Sequence, residues 1–128
     1  MSALSDYLEN EILDHILSVG AYTMPTNVYV GLSTGSFGDD NSGTELTGNN
    51  YARKVASFGA ASSGASSNDA AIEFAAATGS WGSISHFGIF DAASSGNLLI
   101  HGAFTTAKTI ASGDILKIPT GDLDITAA

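Results

Sequence analysis

After Pro25 the hydrophobic period of this chain drops from helical spacing to two, and it does not return. Before that point Leu4, Leu8, Ile12 and Ile16 recur every four residues, with Leu13 and Leu17 widening the stripe, the pattern of an amphipathic helix. Beyond it, "NVYVGLS" sets Val28, Val30 and Leu32 against Tyr29 and Gly31, the alternation of a half-buried strand. One early helix followed only by strands excludes parallel βαβ architectures, which need a helix between successive strands.

The helix is predicted over about residues 5–19. Asp6 caps it and Glu9, three residues on, closes a capping box; Ser5 is the alternative cap. Asp6, Glu9, Glu11 and Asp14 face away from the stripe, mostly in the first half, where the helix dipole favours acids. Gly20 is placed to end it. Seven further runs read as strands: "YARKVASF", "AAIEFAA", "WGSISHFGIFD", "NLLIHGAFTT", "AKTIA", "DILKIP" and "DLDIT". Between them lie the polar stretch "TGSFGDDNSGTELTGNN", the small-residue stretch "GAASSGASSND" and turns such as "AASSG" and "SGD". About eight short strands at this spacing predict a mainly β fold, an antiparallel, jelly-roll-like β-sandwich over about residues 26–126. With the helix it makes a single domain over residues 1–128.

Charge narrows the function. Thirteen acidic residues face four basic ones, Arg53, Lys54, Lys108 and Lys117, for a net charge of −9. That balance argues against nucleic acid and anionic membranes as partners, since phosphates are held by clustered basic side chains. No apolar run reaches the ~20 residues of a membrane span, and the acidic start is unlike a signal peptide. Charged residues make up only 13% of the chain, about half the usual fraction. Such a surface fits a protein largely covered by partners, or simply a sandwich of low charge. There is no cysteine, hence no disulfide, thiol nucleophile or thiolate metal site.

Three stretches invite a chemical reading, and each has a plainer one. "HFGIFDAASSGNLLIHG" carries His86, Asp91 and His101. With a turn over Asp91–Gly96 and Phe90 opposite Asn97, His86 faces His101; a one-residue slip puts Phe87 there instead. Two imidazoles are too few for a metal site, and the third histidine, His15, belongs to the helix. The hairpin reads better as a structural strand pair with one face of Trp81, Phe87, Ile89, Leu98, Ile100 and Phe104. The other face, with Ile84, Phe90 and Leu99 beside the histidines, is then expected to pack on the helix or a neighbouring subunit. "GLSTG" matches the G-x-S-x-G nucleophile elbow at Ser33, with Asp91 and His101 following in triad order. The motif requires a helix after the strand, and "SFGDDNSGTE" is not one. "GDDNSGTE" resembles a calcium loop but lacks the required glycine and final acid; a looser cation site would use Asp39, Asp40 and Glu45, and the plain alternative is a solvated acidic loop. A sugar binder would display aromatics on loops, with Phe37, Tyr51 and Trp81 the candidates. The expectation is no catalytic residue, no cofactor and no metal.

The runs "GNNYARK" and Trp81–Gly102 are the most specific parts of a likeness that covers nearly the whole chain. The chain resembles a widespread family of small structural proteins of tailed bacteriophages, whose members carry names from tail fibre to minor virion protein to capsid decoration. The resemblance implies a virion component with no catalytic residues. Compactness, and the lack of heptads or fibrous repeats, favour a decoration (cement) protein on the outer head surface over a tail fibre, receptor-binding or baseplate component. The expected partners are the chain itself, as a homotrimer, and the major capsid protein. Leu8, Ile12, Ile16, Trp81, Phe87, Ile89, Phe90, Leu98, Ile100 and Phe104 are the expected core and interface residues.

Overall fold

The computed structural model describes residues 2–127. The chain runs β1 (Ser2–Leu4), α1 (Asp6–Ile16), β2 (Val28–Ser33), β3 (Lys54–Ala56), β4 (Ala65–Ser67), β5 (Ile72–Glu73), β6 (Gly82–Phe90), β7 (Leu98–Ile110), β8 (Lys117–Ile118) and β9 (Asp124–Thr126). Five strands form one antiparallel sheet in the order β1-β7-β6-β2-β3, and two ribbons, β4-β9 and β5-β8, supply the remaining pairs. The fold is mainly β and sandwich-like. Its second layer is two short ribbons instead of the full second sheet of a jelly roll. Among the described residues no helix is long and apolar enough to cross a membrane.

The core follows the alternation of β2 and β6. Val30, Leu32, Phe87 and Ile89 point to one face, where Ile72, Phe74, Trp81, Leu116, Ile118 and Leu123 pack against them. Burying this many large apolar side chains, each contributing about 1.5–3 kcal/mol, is the main force holding the layers together.

Two irregularities in the β6–β7 pairing shape everything outside that core. Near the turn Phe90 pairs with Leu98, yet Ile89 pairs with Ile100, so Leu99 is an extra residue on β7. This bulge turns Leu98 to the same side as Phe90, away from the Ile100 face on which alternation would place it. It also frees two carbonyls at the sheet end, and Ser5 takes both: its N–H donates to Leu99 O and its hydroxyl to Leu98 O. Farther along, Ile84 pairs with Lys108 but His86 with Ala103. Phe104, Thr105, Thr106 and Ala107 therefore stand against Ser85 alone, and Thr105–Thr109 are exposed. The runs "NLLIHGAFTT" and "AKTIA" are thus one long strand with an arch in it.

Ser5, not Asp6, is the helix cap, accepting from Leu8 N–H. Leu8 then occupies the third helical position, so no capping box with Glu9 forms. The helix stops at Ile16, short of Gly20, because Ser18 takes the left-handed conformation (φ 63°) and Val19 N–H bonds back to Asp14 O, a Schellman end.

Candidate functional site

The second face of the sheet explains why β6 and β7 are apolar on both sides. Gly31 of β2 lies directly opposite Gly88 of β6. A Cβ on Gly31 would sit 2.9 Å from Phe90 Cε1, and one on Gly88 2.9 Å from both Phe90 Cε1 and Leu98 Cδ1. The two glycines leave a recess for these side chains. Phe37, reaching in from the loop after β2, closes it edge-on to Phe90 with ring centroids 5.6 Å apart. Phe37, Phe90 and Leu98 are a small second core, each at most 2% exposed. The chain's own loop covers Phe90 and Leu98, while the helix packs on β7 beside them.

Arg53 fastens that loop. Its Nε and Nη2 grip the Glu45 carboxylate at 2.8–3.2 Å, its Nη1 donates to Ala92 O and Ser95 O at 2.9 and 2.7 Å, and its guanidinium lies 3.6 Å from the Phe90 ring centroid. One side chain thereby ties the loop, the β6–β7 turn and the second core together, using the planar fork that lysine lacks. Tyr51 completes the cluster. Its hydroxyl donates to Glu45 Oε2 and accepts from Leu32 N–H at 2.9 Å, and its ring packs on Phe74 and Trp81.

Burial, helped by the hydrogen bond to Glu45 and that carboxylate's charge, pushes the Tyr51 phenol far above its usual range. The folded chain therefore holds this proton more tightly than the unfolded chain. The resulting stability is complete below about pH 10 and is lost as the pH rises beyond it. Stability measured by urea unfolding should fall by about 1.4 kcal/mol per pH unit above about pH 10 from this group. Tyr51→Phe should be less stable at neutral pH and lack that part of the alkaline slope. An unchanged slope in the variant would show that other groups cause it.

The residues that invited chemical readings hold separate structural posts. Ser33 is buried; its hydroxyl donates to Thr44 O at 2.7 Å and accepts from Gly35 N–H. Asp91 accepts from the backbone and side-chain amides of Asn97, closing the turn. His101 pairs through Nε2 with Asp39 Oδ1 at 2.7 Å. The hairpin starts in the slipped register, with Phe90 opposite Leu98, but the Leu99 bulge shifts it by one more residue, so Gly88 stands opposite His101 and Ala103 opposite His86. His86 lies beside Ser33 across the strands and contacts Ser85 Oγ through Nδ1. The supposed cation ligands diverge too: Asp39 meets His101, Asp40 accepts from Ser42 N–H, and Glu45 holds Arg53. The loop is solvated only in part. Among the described residues no three His, Asp or Glu side chains gather as metal ligands. Phe37 and Trp81 are buried and Tyr51 half-buried, so none is displayed to a sugar.

Of the expected core and interface residues, Leu8, Trp81, Phe87, Ile89, Phe90 and Leu98 are buried. Ile12, Ile100 and Phe104 are half-buried, and Ile16 is exposed. Ile16 is one of several exposed large apolar side chains on and after α1, with Leu13, Leu17, Val19 and Met24. Sequence reasoning missed Arg53 as an organising residue, counting it only as one of four cations. Its place inside "GNNYARK", just after the acidic loop, was the available signal.

The chain is a small antiparallel β module whose described polar side chains largely hold its own loops, with apolar side chains at the end of α1 left exposed. The chain belongs to the family described as Podophage GP4 fiber I protein gp80, which matches residues 3–126. It is thus a phage fibre/structural protein, a component of the virion, in keeping with the resemblance in its sequence. No curated protein matches it.

Proposed function

We propose that this chain is a subunit of a phage tail fibre, acting by assembly with copies of itself and with neighbouring virion proteins and carrying out no catalysis. The observation that carries the assignment is the family match over residues 3–126. The exposed apolar side chains on and after α1 support the self-association, because exposed apolar surface of this kind is often an interaction site. The trimer expected from the resemblance is one closed form of that assembly. Capsid decoration is the second reading, favoured by the compactness of the module and the absence of a repetitive shaft. Gold-labelled antibody on intact particles separates the two. Label is expected at the tail, and regular label over the head would replace the fibre assignment with decoration.

A further inference from the structure

β1 and α1 hold to the rest of the chain as an arm. β1 pairs with Ile100–Gly102 of β7, Ser5 bonds to Leu98 O and Leu99 O, and Asp6 N–H donates to Asp39 O. α1 packs on β7, with Leu8 as its one buried side chain. The segment that follows turns away from the body. Among the described residues, the hydrogen bonds of residues 17–27 all return to α1: from Leu17 to Leu13 O, from Val19 and Gly20 to Asp14 O, and from Tyr22 to His15 Nδ1. Residues 23–27 make none. The arm and the start of its connection are thus one unit, joined to β2 by a hinge without hydrogen bonds.

The hinge favours an open path over a tight return. Pro25 holds Met24 to an extended backbone. Straightened, the eleven residues from Leu17 to Asn27 span roughly 36 Å, enough to carry the arm onto a neighbouring copy. Exposed apolar side chains also gather here. Of the eight large ones among the described residues, five fall between Leu13 and Met24, from 54% exposed at Leu13 to 82% at Met24. The closed chain leaves them in water.

The site that would receive a second copy's arm is shown by the chain's own arm. It is the β7 edge at Ile100–Gly102, the two carbonyls beside the Leu99 bulge, and Asp39 O. An identical arm makes identical bonds there, so an exchange gives up none of them. What the exchange adds is burial: the hinges of neighbouring copies then run side by side around the symmetry axis, and their apolar side chains meet.

We infer that copies of this chain associate by exchanging this arm, the β1–α1 unit of one copy docked on β7 of the next, with the hinge at residues 23–27. This rests on the self-association proposed above and names its contact.

The absence of cysteine from the chain makes the test direct. Leu4 stands opposite Ile100, and Leu4→Cys with Ile100→Cys places a disulfide across the arm's own docking site. Wild-type chain in sedimentation velocity is expected to be an oligomer. The oxidised double variant, run denatured and unreduced, should be a covalent oligomer, and neither single-cysteine chain should cross-link. An internally linked monomer from an oligomeric parent would overturn the exchange while self-association stands. A monomeric wild type overturns both. Isotope-filtered NOE measurements on wild-type oligomers of mixed labelled and unlabelled chains decide the matter if the variant misfolds, keeps free thiols or cross-links as a single-cysteine chain. Contacts between Leu4 and Ile100 of different chains are expected, and contacts confined to one chain would sink the exchange.

Discussion

Arg53→Met should destabilise the protein by about 3–5 kcal/mol, measured as the loss of unfolding free energy in urea. The side chains of Arg53 and Glu45 are only 8% and 22% exposed, so removing the cation leaves a largely desolvated carboxylate without its counter-charge. Ala92 O and Ser95 O lose their donors in the same step, and Phe90 loses the guanidinium over its ring. Methionine keeps most of the volume, which separates the electrostatic loss from a cavity. Arg53→Lys should recover only part of the deficit, because an ammonium cannot hold the carboxylate and both carbonyls from one position. Lys54→Met is the control. Lys54 is exposed, and a surface substitution of this kind stays within about 0.5 kcal/mol. If Arg53→Met and Lys54→Met melt alike, the clamp has no energetic weight and the loop is held by Phe37 alone.

The same clamp shows where sequence reasoning stops. Periodicity is a local signal, and it found the elements whose pattern is local: the first turns of α1, the alternation of β2, and the long runs of β6 and β7. It missed β1 and β4. Their residues, "SAL" and "ASS", have little intrinsic strand preference; Ser2–Leu4 are strand because β7 offers them an edge, and Ala65–Ser67 because β9 does. It could not place the bulge at Leu99, since one extra residue leaves no trace in an apolar stretch such as "NLLI". That residue decides the face of Leu98 and the partner of His101. The two-sided apolar pattern was legible, but its cause was not. An acidic, glycine-rich loop gives no sign that Phe37 inside it will be buried, or that Glu45 will find Arg53. At the helix the pattern alone could not distinguish the buried Leu8 from the exposed Ile16. Only the folded packing separates Leu8, which serves the core, from Ile16, which stays exposed.

Phe87→Ala is expected to cost about 3–5 kcal/mol, and Phe104→Ala clearly less. Phe87 is 2% exposed, flanked by Leu32 on β2 and Gly102 on β7. Its ring centroid is 5.4 Å from that of Phe104. Cutting it back to a methyl group opens a cavity in the middle of the main sheet, where paired strands on both sides prevent collapse. The cost therefore includes the lost transfer free energy and most of the cavity term. Phe104 stands in the arch of β7 with one side on an open groove, so water or the exposed Thr105–Ala107 segment can move into the space its ring leaves. For a domain whose whole stability is about 5–15 kcal/mol, the first variant should shift the urea midpoint strongly or fail to fold, and the second should stay folded. Equal loss of stability in the two variants would mean that the arch is as tightly packed as the sheet centre.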